Sequence, residues 1–159
     1  MRVRRCIVST LAIAGLVAAG SLALTGAPLP KETVKPGSAQ EIAQDWRYNP
    51  NAKETSWQGV SPKGARKLHA QMGKLTGASF EHAWNFYAQK CGSDEKYGQT
   101  FYSVGAQSKD GQYVIRDDQL DGRRCTMFAF TNERFSVGVQ LRQASDKDKI
   151  YIAITVATR

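Results

Sequence analysis

The sequence is poor in the residues that carry most catalytic and metal chemistry. Its 159 positions hold only two histidines, His69 and His82, and three cysteines, Cys6, Cys91 and Cys125. A structural zinc site needs four converging ligands. No CxxC, HxxxH or HExxH spacing is present, so neither a metal nor another cofactor is expected. There is no GxSxG nucleophile elbow and no glycine loop of the kind that cradles phosphate. Glu54, Glu81, Asp94, Glu95 and Glu133 could supply a carboxylate pair for glycosidase chemistry, but nothing in their spacing brings two together. Asp117, Asp118 and the Asp121-Gly122 pair crowd acids near a turn without EF-hand spacing, which leaves turn formation as their expected role.

Long runs of one character are scarce as well. No block of Lys or Arg interleaved with aromatics occurs, so nucleic acid is not an expected partner. The one long uncharged run, Cys6 to Ala27, follows Arg2, Arg4 and Arg5, the layout of a secretory leader. Residues 1–27 are therefore read as a signal peptide cut between Ala23 and Ala27, and an uncleaved anchor is the alternative. Its removal lowers the formal net charge from +8 to about +5, places the product in a secreted or periplasmic space, and leaves no membrane association. Cys6 precedes the apolar run, so it is not placed as a lipid-bearing cysteine. The remaining pair, Cys91 and Cys125, is expected to form a disulfide in an oxidising compartment, stabilising the fold by about 3 to 4 kcal/mol.

What is present is periodicity. Residues 28–60 open with a proline-bearing arm and read as a linker or loosely docked N-terminal segment, with Ser38 and Glu41 in capping-box spacing and with Trp46 and Trp57 as its large apolar groups. The α+β domain proper is expected over 61–159. Ser61-Pro62 has the chemistry of a helix start, and Ala65, Leu68, Met72 and Leu75 share a helical face opposite Lys63, Arg66, Lys67 and Lys74. A second helix is clearer. Phe80, Ala83, Trp84, Tyr87, Ala88 and Cys91 form one stripe, opened by Ser79 and closed by Gly92. Five strand-like runs follow, Thr100–Ala106, Gln112–Arg116, Arg124–Phe130, Arg134–Leu141 and Ile150–Val156, joined by short turns such as Asp110-Gly111. The predicted fold is thus a helical pair packed on one face of a five-stranded antiparallel β-meander, pinned by one disulfide.

Alternation along the strands predicts which face the helices cover. Phe135, Val137, Val139 and Leu141 alternate with polar residues, as do Ile150, Ile152, Ile154 and Val156 with Tyr151, Ala153 and Thr155. In the Cys125 strand both parities are apolar, so a bond from Cys125 to the helix would turn Phe128 and Phe130 to the open face. That face would then gather Phe128, Phe130, Arg134, Gln140, Arg142 and Tyr151, the aromatic and arginine mixture that protein interfaces enrich.

This order of elements, two helices and then an antiparallel meander, is similar to that of some secreted inhibitor modules that offer an open sheet face to a target enzyme. The expected function is an exported, non-catalytic binding or inhibitor-like module acting on a protein partner through that face. Two alternatives come from other classes. One is a small envelope hydrolase with a pocket around His82. The other is a structural envelope component drawn to an anionic polymer by its basic helix.

Overall fold

The computed structural model describes residues 37–61, 67–99 and 103–159. The fold is α+β. Helix α1 (Ala39–Asp45) and strand β1 (Glu54–Val60) lead into β2 (Leu68–Thr76), helix α2 (Phe80–Lys90) and then β3 (Ser103–Ser108), β4 (Gly111–Leu120), β5 (Arg123–Thr131), β6 (Phe135–Gln143) and β7 (Lys149–Thr158). All strands join one antiparallel sheet in the order β1-β2-β7-β6-β5-β4-β3. The C-terminal five make the meander that alternation predicts, but the sheet has seven strands, because β1 and β2 extend it beyond β7.

That extension corrects the expected helical pair. The stretch 68–76 is a strand, not the second half of a helix. Its inward positions are His69, Gln71, Gly73 and Leu75, so only one of them is a large apolar residue, while Leu68, Ala70 and Met72 point outward. Strand alternation is therefore inverted in polarity, and the apolar residues fall by coincidence on helical spacing. The inward polar groups have partners. Gln71 accepts from Arg47 Nε at 2.9 Å and donates to the Ala43 carbonyl at the end of α1, and His69 Nδ1 shares a hydrogen bond with Ser61 Oγ at 2.8 Å. β1 is anchored by Trp57, whose ring crosses Gly73 so closely that a Cβ there would stand 2.7 Å from it.

Both helices lie on one face. Ser38 caps α1 by accepting from Glu41 N–H, and Ser79 does the same for α2 with His82 N–H. Gly92, at φ 75°, takes the left-handed turn that ends α2. α1 lies against β2 and β7, and α2 against β5 and β6. Trp84 and Tyr87 pack on Phe128 at ring distances of 5.7 and 5.6 Å, and Trp46 packs on Phe130 at 5.8 Å. Ile115, Val139, Leu141, Ile152 and Ile154 complete a core that lies wholly between sheet and helices. Asp117 also faces this side, where Trp84 Nε1–H at 2.9 Å and Thr126 Oγ1 at 2.8 Å both donate to one carboxylate oxygen. Hydrogen bonds to a charged acceptor are worth about 1.5 to 3 kcal/mol, enough to hold an acid against the aromatic layer.

The disulfide is absent. Cys91 and Cys125 are both free and buried, and they lie on opposite faces of the sheet. Phe128 stands against Trp84, so parity along β5 sends Cys125 away from the helices, where Gln140 Nε2 approaches its sulfur at 3.7 Å. The same parity corrects Phe128 and Phe130. They are 1% and 5% exposed and belong to the core, not to the open face.

Candidate binding face

The face without helices is built from the outward residues of all seven strands, and its register runs in straight rows across the sheet. One row reads Val60, Ala70, Thr155, Gly138, Ala129, Val114 and Gly105. On one side of it lie Leu68, Ala157, Ser136, Thr131, Gln112 and Gln107, and on the other Met72, Ala153, Gln140, Met127 and Arg116. A further row carries Lys74, Tyr151, Arg142, Cys125 and Asp118. Side chains in the middle of the face are small. At Gly138 an added Cβ would meet nothing within 4 Å.

The result is a shallow trough of about 800 Å³, floored by Ala129, Gly138 and Thr155 with Thr131, Ser136 and Ala157 at one end. Val114 on β4 belongs to its lining, while the exposed Leu68 and Met72 on β2 lie outside it. At their end of the trough, the hydroxyls of Thr131 and Ser136 bond to each other at 2.7 Å. Every exposed large apolar side chain among the described residues, namely Val60, Leu68, Met72, Val114, Leu120, Met127 and Tyr151, is on this face. Met72 and Met127 are 58% and 56% exposed. Such a concentration on one side is unlike the single scattered apolar residues of an ordinary surface.

Of the residues the sequence places on an open face, Gln140, Arg142 and Tyr151 are there, with Arg142 directly opposite Tyr151 across the β6–β7 pair. Arg134 is exposed in the turn before β6, outside the rows. Sequence reasoning missed Val114, Met127, Met72 and the floor of small residues. The signal for Met127 was available, since Cys125, Met127 and Ala129 form one of the two parities of β5, but it was assigned to the wrong side.

The other candidate residues are placed as follows. His82 is exposed on α2 and shares a cavity of about 600 Å³ with Asp94 and Glu95, but among the described residues its ring makes no hydrogen bond or ion pair to either carboxylate. Asp117 and Asp118 point to opposite faces of β4, and the described residues contain no cluster of three or more His, Cys, Asp or Glu able to hold a metal. Lys74 lies on β2, so the basic helix invoked for an anionic polymer does not exist over 68–76. His69 is buried beneath Gly59, with Nε2 unpartnered, and burial followed by the Arg47 charge holds its pKa below the ordinary value. No carboxylate accompanies the Ser61–His69 pair among the described hydrogen bonds, so it has no orienting third group. Comparison of the chain with known protein families, with curated proteins and with solved structures gives no match.

Proposed function

We propose that this protein is an exported, non-catalytic binding module that holds its partner on the helix-free face of the sheet. One observation carries the reading: all the exposed large apolar side chains of the described fold stand on that face, which also holds the trough, while the opposite face buries its apolar residues. Exposed apolar side chains gathered on one face and mixed with arginine are the composition of an interaction site. Export through the leader at residues 1–27 rests on its arginine-then-uncharged layout.

The test is capture. The protein, immobilised and exposed to the contents of its own export compartment, is compared with the double variant Val114→Thr, Met127→Gln and with Glu81→Gln on α2. The first removes apolar contact from the open face while keeping strand-compatible residues, and the second changes the helical side. Loss of capture only in the double variant, at unchanged thermal stability, is the expected result. Equal capture by all three would overturn the reading.

A further inference from the structure

We propose a second site, on the helix side of the sheet: a cleft that takes a small zwitterion of the amino-acid class, its carboxylate on Arg124 and its ammonium on Asp117. The cleft has a volume of about 560 Å³ and is lined by Phe80 at the start of α2, by Tyr97 in the segment after that helix, and by Asp117, Gln119, Arg124 and Thr126 of β4 and β5. Volumes of about 300 to 1,000 Å³ are usual for small-molecule sites.

Two opposite charges in this cleft do not meet. Asp117 stands opposite Thr126 across the β4–β5 pair and Gln119 opposite Arg124, so Asp117 and Arg124 are diagonal neighbours on one face. Such neighbours are ~7–8 Å apart, within reach of a long side chain. Yet among the described residues no ion pair joins them or ties either to another group. Each is held elsewhere. The Arg124 guanidinium lies 5.0 Å from the Phe80 ring centre and 5.5 Å from that of Tyr97, with Nε donating to Gln143 Oε1 at 3.0 Å and Nη1 to the Tyr97 hydroxyl. Asp117 commits one oxygen, Oδ1, to Trp84 and Thr126.

What stays uncommitted defines the ligand. A guanidinium has five N–H donors and the described bonds use two, which leaves three for an anionic group. Asp117 Oδ2 has no partner among the described hydrogen bonds and can accept from a cationic donor. The other acid of the lining, Asp118, points to the opposite face of β4, where Arg116 approaches it at 3.9 Å. A simple anion in the cleft would meet Asp117 and a simple cation would meet Arg124, in each case a like charge. A molecule that carries both charges side by side satisfies both groups. Because their neighbours already fix the two side chains, little freedom is lost on binding.

The experiment is a calorimetric titration of the protein with each of the common L-amino acids at millimolar concentration, followed for the tightest binder by its N-acetyl and carboxamide forms. One-to-one binding is expected, weakened by about tenfold or more when either end of the ligand is masked. Arg124→Gln should remove the advantage of the free acid over the carboxamide. Asp117→Asn, which keeps an oxygen for Trp84 and Thr126, should remove the advantage of the free amine over the N-acetyl form. If Asp117→Asn does not fold, the masked ligands on the unaltered protein still decide. Absence of binding across the set, equal affinity for the masked forms, or affinity that both variants leave unchanged would each overturn the proposal. Partner capture by the open face is a separate matter, because Val114 and Met127 lie outside this cleft.

Discussion

A cysteine is informative here because of where its proton stays. Cys91 closes α2 with no exposed surface, and burial pushes its thiol up to about 12. Unfolded, the same group would titrate near 9.0. Between those values the folded state binds more protons than the unfolded one, so stability falls as pH rises above about 9, by roughly 1.4 kcal/mol per pH unit. Burial raises Tyr48 and Tyr87 as well, which adds to the loss at higher pH with the same sign. Urea midpoints measured across the alkaline range should decline, and Cys91→Ala should flatten the first part of that decline whatever its effect at neutral pH. An unchanged slope would remove Cys91 as the cause. With Cys125 on the other side of the sheet, neither thiol can reach the other, and both should react with an alkylating reagent only after unfolding.

Among the elements, β1 is an edge strand paired only with β2. Its single inward aromatic, Trp57, lies across Gly73 with Arg47 stacked 5.4 Å above the ring, and its indole N–H has no partner. Gly73→Ala would put a methyl group 2.7 Å from the ring carbons and push the side chain out, an overpacking cost of about 1 to 3 kcal/mol. Gly138→Ala meets nothing and should be neutral or slightly stabilising, since glycine weakens a strand. Amide exchange should show β1 losing protection in the first variant while β4 to β7 keep theirs; equal protection in both variants would contradict this role for Gly73. The same strands explain what the sequence could and could not say. α2, β6 and β7 keep one period from end to end, with apolar residues inward, and so are legible. β2 turns His69 and Gln71 inward and Leu68 and Met72 outward; the Ala43 carbonyl of α1 and Arg47 just beyond that helix partner Gln71, Ser61 partners His69, and no local pattern in β2 reveals them. The binding face was half legible: Gln140, Arg142 and Tyr151 follow from the alternation of β6 and β7. The parity of β5 was misassigned because both of its sides are apolar and the bond used to choose between them does not form.

For the molecule as a whole, the division into a sealed face and an open one is set by a single sheet. Everything large and apolar on one side is covered by two short helices, and on the other side the trough remains. The pairing of β2 with β7 also has a temporal meaning. The first hairpin, β1–β2, has no sheet to join until β7 exists, because its only other neighbour is the last strand of the chain. Contacts of such long sequence separation form late and slowly. A chain exported from its N-terminus, as proposed here, would thus pass through the membrane before it could close, and its order of strands would act as a timer that keeps it threadable. Removing 149–159 should therefore leave β1 and β2 without native protection rather than a smaller folded sheet; a stable hairpin in that truncated chain would show that the clock runs on something else.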